Sequence, residues 1–346
     1  MTRFTDWLGI DLPIIQAPMA GAAFSAMAVS VSNAGGLGSI GCATLSPDAL
    51  RTELKSLKAG TQRPFNVNFF CHVPPVADTE RERQWRAALA PYYRQYGIDP
   101  DKIPAGPGRA PFSAEAADLL EDIRPAVVSF HFGLPPADLF ARVKAMGAKT
   151  FCSATTVAEA LWLEARGIDV IIAQGVEAGG HRGMFLTDDL TTQIGTFALL
   201  PQIVKAVKVP VVAAGGIADA RGVAAALSLG AAAAQVGTAY LLCPEAAITA
   251  VHRAALKSDA ARHTALTNLF TGRPARGIVN RVMRELGPMS SAAPAFPLAT
   301  SAIVPVRAKA EAEGSGDFTP LWSGQNATGC KEIPAAQLTK ELAAAL

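Results

Sequence analysis

DVIIAQGVEAGGHRG at residues 169–183 decides the fold, together with VPVVAAGGIAD at 209–219 and AAQVGTAYL at 233–241. Each stretch is an apolar run of strand-forming residues that ends abruptly in glycine-rich backbone. The intervals between the stretches are long enough for a crossover helix, as a parallel pair of strands requires. Three such units in succession are typical of a parallel α/β barrel.

Five further strand candidates precede these stretches, at residues 13–19, 37–40, 65–69, 126–130 and 150–153. Helical patterns separate most of them, for example at 46–58, where a serine cap opens a helical period. Eight strands alternating with helices predict a closed TIM (β/α)8 barrel rather than an open sheet. The chain has 346 residues, more than the roughly 250 of a plain barrel, so additions are expected.

Two regions interrupt the alternation of strands and helices. An insertion of about residues 74–111 follows the third strand and contains a charged helix and a Pro/Gly-rich run, which forms either a lid or a surface excursion. After a barrel domain at 1–240, we expect a small, mostly helical domain at 241–300. Residues 301–346 are expected to form a tail that packs back on the barrel.

Composition excludes several classes of protein. Half of the residues are hydrophobic, 17% are charged and the net charge is +2, so neither a nucleic-acid partner nor a membrane partner is expected. The five cysteines are scattered without a CxxC pair, which argues against a disulfide framework and a metal site. With no signal peptide in the sequence, the expected location is the cytoplasm. The oligomeric state stays open, a homodimer included.

Glycines after the last two strands predict a phosphate site. Gly215 and Gly216 follow one strand, and Gly237 and Thr238 follow the next. Backbone N–H groups without a nearby Cβ bind anions, and barrels often hold a phosphate between these two loops. Tight βα turns are the alternative for either glycine pair alone. Two pairs one unit apart favour phosphate.

Six motifs carry a resemblance to a known family: PIIQAPMAG, GGLGSIG, FNVNFF, AQGVEAGGHRG, VVAAGGIAD and QVGTAY. In this order and spacing they resemble the nitronate monooxygenases, flavin enzymes formerly called 2-nitropropane dioxygenases. The resemblance covers roughly residues 12–240 and, faintly, the tail. Related FMN barrels, such as flavin-dependent enoyl-ACP reductases and inosine monophosphate dehydrogenase, share the phosphate-loop motifs, so the histidine of EAGGHRG and the asparagine of the third strand are more telling.

The resemblance implies FMN as the cofactor. Its phosphate would lie on backbone of the last two loops, Asn68 and Gln174 would face the flavin ring, and the backbone after the first strand would face the flavin edge. The implied cofactor-binding residues are Ala17, Pro18, Met19, Ala20, Asn68, Gln174, Gly179, Gly180, Ala214, Gly215, Gly216, Gln235, Val236, Gly237 and Thr238.

His181 is the predicted catalytic residue. It follows the C-terminal end of a strand, where barrel active sites lie, and an imidazole can act as a base or bind an anion near neutral pH. His131, at the end of the fourth strand, is a second predicted substrate-binding residue, with a merely structural role as the alternative. His72 is a weaker candidate, and His252 and His263 are expected at the surface.

The resemblance implies oxidative denitrification of alkyl nitronates, and of nitroalkanes if His181 removes the α-proton. Oxygen would be the second substrate, a flavin semiquinone would form, and a carbonyl compound and nitrite would be the products. Two alternatives remain: an NAD(P)H-dependent FMN enoyl reductase on the same barrel, and a non-catalytic flavin-binding module. One departure from the family concerns substrate preference, since Phe296 stands where relatives often have tyrosine.

Overall fold

The computed structural model describes residues 3–103 and 108–346, and its centre is a ring of eight parallel strands. Hydrogen-bonded neighbours follow the order β1-β9-β8-β6-β5-β4-β3-β2. Leu37 closes the ring, because its N–H donates to the carbonyl of Ile14 (2.9 Å) and its carbonyl accepts from the N–H of Gln16 (3.0 Å). The predicted TIM barrel is confirmed. The strands are β1 Ile14–Gln16, β2 Gly38–Gly41, β3 Phe65–Phe70, β4 Val127–His131, β5 Lys149–Ala154, β6 Val170–Gln174, β8 Val211–Ala214 and β9 Ala233–Val236.

Helices flank the barrel and form its additions. The helices are α1 Phe4–Leu8, α2 Ser25–Asn33, α3 Pro47–Gly60, α4 Thr79–Tyr96, α5 Ala114–Ile123, α6 Ala137–Ala145, α7 Val157–Glu164, α8 Thr196–Ala206, α9 Ala220–Ser228, α10 Ala250–Leu256, α11 Arg281–Leu286, α12 Thr300–Ala312 and α13 Ala335–Leu342. Helix α3 shows how sequence sets the local structure: Ser46 caps it by accepting from the N–H of Ala49, and its leucines recur on one buried face.

The insertion after β3 forms a second core with the C-terminal part of the chain. Asp78 caps α4, whose apolar face packs on α12. The indole N–H of Trp85 donates to the carbonyl of Ala299 (3.1 Å), and the hydroxyl of Tyr93 donates to the carbonyl of Ala302 (2.8 Å). Both aromatic rings are buried, so the insertion is anchored and not a free excursion. Residues 104–107 of its Pro/Gly-rich run lie outside the described residues.

A small antiparallel sheet lies between the barrel and the C-terminal additions. Besides α10 and α11, the segment at 241–300 contains β10 Thr264–Thr267 and β11 Ala275–Ile278, two strands that the sequence analysis did not anticipate. Strand β11 pairs with the two-residue strand β7 Gly180–His181, with Ala275 opposite His181. The predicted catalytic residue is thus held by backbone pairing to a segment almost a hundred positions away.

The C-terminal helix α13 packs on α2 beside the barrel. The hydroxyls of Tyr240 and Thr339 share a hydrogen bond of 2.8 Å in this buried contact. Within the described ranges, no helix has both the length and the apolar character needed to cross a membrane.

Candidate active site

A cavity of about 470 Å³ opens at the C-terminal ends of the barrel strands and gathers almost all of the predicted site residues. The strand register explains why, since Gln174 of β6 lies opposite Ala214 of β8, which lies opposite Gln235 of β9. Val236 is the exception, because its side chain is 1% exposed and packs in the core while its carbonyl accepts from Ala17. The predicted residues that line the cavity are Ala17, Pro18, Met19, Ala20, Asn68, His131, Gln174, Gly179, Gly180, His181, Ala214, Gly215, Gly216, Gln235, Gly237 and Thr238.

The glycine loops after β8 and β9 border the cavity where the sequence predicts an anion cradle. Gly215 and Gly216 adopt positive φ angles of 116° and 74°, which glycine tolerates best. Across the described chain, the backbone N–H groups of these two residues and of Gly237 and Thr238 donate to no protein acceptor. A Cβ on Gly237 would lie 3.3 Å from the Cβ of Ala17, so the cradle is narrow at this point. Free N–H groups in such a loop bind phosphate.

Gln235 presents an unsatisfied acceptor in the same cavity. Its Oε1 atom is buried and has no hydrogen-bond partner among the described residues. A buried acceptor left alone costs about 1–3 kcal/mol, so a ligand that carries an N–H or O–H group would be favoured there.

Two other amides face the cavity, and they are used differently. Asn68 donates through Nδ2 to the hydroxyl (2.9 Å) and carbonyl (3.2 Å) of Ser129, so Oδ1 remains available to a ligand. Gln174 donates to the carbonyl of His181 (3.0 Å) and accepts from the N–H of Gly183 (2.7 Å). Gln174 therefore holds the loop of His181, a contact that the sequence analysis did not anticipate.

His181 lines the cavity with one ring nitrogen that is not bonded to the described protein residues. Its Nε2 shares a hydrogen bond of 3.0 Å with the hydroxyl of Thr271, and its Nδ1 has no partner in the described part of the chain. Four aromatic rings surround the imidazole with centroids 5.4–5.9 Å away, those of Phe70, Phe132, Phe296 and Trp322. Burial, and then the positive charge of Arg109, lower the pKa of His181 well below its usual value. The imidazole is neutral at neutral pH.

Both ring nitrogens of His131 are already bonded to protein. Nε2 lies 3.1 Å from the carbonyl of His181, so this nitrogen carries the proton and donates it. Nδ1 lies 3.0 Å from the hydroxyl of Ser153 and accepts from it. Burial lowers the pKa of His131 to about 3. The geometry suits a role in positioning His181 better than the direct substrate contact predicted from the sequence.

The cavity wall also contains cationic residues that sequence analysis missed. Arg109 of the insertion and Arg307 of α12 line it, and no Asp or Glu does so among the described residues. Arg109 donates to the hydroxyl of Thr300 (3.1 Å) and lies over the ring of Phe296. Nothing in the local sequence marks either arginine, because each reaches the site through packing of the additions. Arg307 forms an ion pair with Glu311 (2.8 Å), so Arg109 is the arginine whose charge suits an anionic ligand.

His252 corrects one expectation. It was expected at the surface but is buried, lines the cavity and shares a hydrogen bond of 3.1 Å with the carbonyl of Trp322. His263 is exposed, as expected. In residues 3–103 and 108–346, no group of three or more His, Cys, Asp or Glu is arranged to hold a metal ion.

A closed barrel with a cavity, glycine-rich loops and a neutral histidine at its strand ends is typical of a TIM-barrel enzyme. The family model for nitronate monooxygenase matches residues 1–345. The chain is 45% identical over 340 residues to nitronate monooxygenase of Paraburkholderia phytofirmans, which covers 97% of this chain and 92% of the relative. It is 44% identical over 349 residues to that of Pseudomonas aeruginosa, covering 98% and 97%. The chain belongs to the nitronate monooxygenase family and is an oxidoreductase.

Two solved structures resemble this chain over nearly its whole length. Nitroalkane oxidase from Streptomyces ansochromogenes superposes with a TM-score of 0.88 at 40% identity, covering 97% of this chain and 95% of that one. FabK from Thermotoga maritima superposes with a TM-score of 0.75 at 30% identity, covering 99% and 94%. The likeness is thus stronger to the nitroalkane oxidase.

Proposed function

We propose that this protein is an FMN-dependent enzyme that oxidises alkyl nitronates with oxygen to a carbonyl compound and nitrite. The observation that carries the proposal is the neutral, cavity-facing His181 beside an anion cradle, in a chain of the nitronate monooxygenase family. Relatives bearing the names nitronate monooxygenase and nitroalkane oxidase support the substrate class.

The residues present fit FMN. The free N–H groups of Gly215, Gly216, Gly237 and Thr238 would hold its phosphate. The unsatisfied Oε1 of Gln235 and the available Oδ1 of Asn68 would accept from its hydroxyl and ring N–H groups. When bound, FMN would supply electron transfer between substrate and oxygen.

Side chains of the protein would bind the substrate and remove its α-proton. Arg109 would attract the nitronate anion, since it lines the cavity and, within the described residues, forms no ion pair with a carboxylate. The Nδ1 atom of His181 would take the α-proton of a neutral nitroalkane, because burial keeps that imidazole unprotonated. The rings of Phe70 and Trp322 would keep water from the alkyl part.

The purified protein tests this proposal directly. A flavin absorption spectrum is expected, together with oxygen consumption and nitrite release when propyl-2-nitronate is added. His181→Asn should retain the flavin spectrum and lose turnover of neutral 2-nitropropane. A colourless protein that stays colourless after FMN is added would remove the cofactor from the proposal.

The same spectroscopic assay distinguishes the enoyl reductase alternative from the proposed function. An enzyme of that class would be reduced by NADH or NADPH and would not respond to the nitronate. A protein that binds flavin and reacts with neither would be the non-catalytic module. The strong likeness to a nitroalkane oxidase makes the response to the nitronate the expected outcome.

A further inference from the structure

The geometry points to Thr271 as the positioning residue that fixes which nitrogen of His181 carries the proton. This inference deepens the proposed function, because a base must present an unprotonated nitrogen to the substrate. The relevant contacts lie in the loop that joins β10 to β11, outside every motif of the sequence analysis. Thr271 is 2% exposed, so its side chain is largely shielded from bulk solvent.

The hydroxyl of Thr271 has one proton and two neighbours that could use it. It lies 3.0 Å from Nε2 of His181 and 3.4 Å from the carbonyl oxygen of Arg273. A carbonyl can only accept, whereas a neutral imidazole nitrogen either donates or accepts. When Thr271 donates to Arg273, it accepts from Nε2–H of His181, and both hydrogen bonds form. The opposite arrangement forms only one of them.

The carbonyl of Arg273 has no second donor among the described residues. Donation from Thr271 to His181 would therefore leave that acceptor without a protein partner. The additional hydrogen bond favours one tautomer of His181 by about two- to tenfold. The favoured form carries its proton on Nε2 and leaves the lone pair of Nδ1 facing the cavity.

The loop around Thr271 is held in place at several points. Gly272 donates from its N–H to the carbonyl of Asn268 (2.7 Å), and the hydroxyl of Thr300 donates to the carbonyl of Phe270 (3.1 Å). Arg273 donates to the carbonyl of Met184 and lies over the ring of Phe132. Because β11 pairs with β7, the strand that ends the Thr271 loop is joined directly to the strand that carries His181, which maintains the spacing of hydroxyl and imidazole.

The tautomer can be measured without turnover. In protein labelled with ¹⁵N-histidine, two-bond and three-bond correlations from the ring carbon protons distinguish the protonated nitrogen from the bare one. The chain has five histidines, so His181→Asn assigns the signal by its disappearance. We expect Nε2–H at His181 in the protein as purified and in Thr271→Ser, which keeps the hydroxyl.

Thr271→Val keeps the shape and removes the hydroxyl. We expect the tautomer preference to be lost, so that the share of His181 with a bare Nδ1 falls from up to about nine-tenths to about one half. The value of kcat/KM for neutral 2-nitropropane should then fall about twofold, with little change for the preformed nitronate. Thr267→Val is the matched control, since Thr267 is buried in the same hairpin but accepts only from the N–H of Leu269. It should leave the tautomer unchanged.

Two results would overturn the inference: Nδ1–H at His181 in the unmodified protein, or an unchanged signal in Thr271→Val. Failure of the proposed function looks different. A protein that shows Nε2–H at His181, loses it in Thr271→Val, and oxidises neither nitronate nor nitroalkane would retain the inference about Thr271 and contradict the proposed reaction alone.

Discussion

The imidazole of His131 donates from Nε2 to the carbonyl oxygen of His181 across 3.1 Å, so one cavity histidine holds the backbone of the other. Gln174 donates to the same oxygen from the next side (3.0 Å). Two donors on one carbonyl fix the peptide that follows His181 and, with it, the direction of the side chain. Small displacements of a catalytic group reduce its efficiency strongly.

Replacing His131 tests whether it positions or binds. His131→Phe keeps an aromatic ring and removes both hydrogen bonds, so we expect kcat for neutral 2-nitropropane to fall about tenfold while KM for that substrate changes little. Ser153→Ala, which removes only the donor to Nδ1, should have a smaller effect in the same direction. Steady-state kinetics on both variants provide the measurement, and a large rise in KM with constant kcat would instead indicate direct substrate binding.

The glycine cradle can be tested with a pair of matched substitutions. Gly216→Ala adds a Cβ at a φ of 74° beside the proposed phosphate, while Gly167→Ala adds one at a φ of 80° where no atom lies within 4 Å. Each substitution should lower the free energy of unfolding by about 1 kcal/mol, because a residue with a Cβ is strained in the left-handed backbone conformation. Only Gly216→Ala should also weaken FMN binding, measured by fluorescence titration of the apoprotein. Equal affinities in the two variants would remove Gly216 from the phosphate site.

Arg109 is expected to carry charge recognition. Arg109→Gln should raise KM for the anionic nitronate about tenfold, with Arg109→Lys retaining part of the affinity. Since its charge also lowers the pKa of His181, the acid limb of the pH profile for 2-nitropropane should move to higher pH in Arg109→Gln. Arg94→Gln, an exposed change on α4, is the control. An unchanged KM would show that the anion binds elsewhere.

Stability should depend on pH through the buried histidines. Burial lowers the pKa of His131 to about 3 and that of His252 to about 4, and lowers that of His181 as well. The unfolded chain, with pKa values near 6.5, therefore binds more protons than the folded one below that pH. The stability gained by keeping these histidines neutral in the folded protein is fully present above about pH 6.5. It is lost as the pH falls, by up to about 1.4 kcal/mol per pH unit for each buried histidine.

Urea unfolding at pH 7.5, 6 and 5 measures this dependence. His252→Gln should reduce the slope of the free energy of unfolding against pH by the share of one histidine. A free energy of unfolding that stays constant from pH 7.5 to 5 would contradict the expected linkage.

The sequence predicted the barrel and most of the cavity because both depend on local signals. Apolar runs that end in glycine locate β6, β8 and β9, and parallel pairing then brings the strand ends together. The hairpin of β10 and β11 has no such signal, since TALT and ARGI lack the alternation of apolar and polar residues that a half-buried strand shows. Those strands form because β7 and Trp322 pair with β11 from distant parts of the chain.

The other site features that the sequence did not predict also depend on contacts between distant segments. Arg109 and His252 reach the cavity only after the insertion and the C-terminal segment pack on each other, and neither has a neighbouring motif. Gln174 and His131 were placed in the cavity, but the partners of their polar atoms depend on the loop that carries His181. Hydrogen bonds between segments cannot be inferred from the pattern of either one.

The pairing of β7 with β11 sets the order in which the site is completed during synthesis. Once 240 residues have been synthesised, the chain contains every barrel strand and His181. Thr271, Arg273 and Trp322 are still untranslated at that stage, and β7 has no neighbour to pair with. Since domains tend to fold as their residues emerge, we expect a chain that stops before β10 to form the barrel strands while the side chain of His181 is not yet held in place. Oxidative chemistry in the proposed site would then await the last third of the polypeptide.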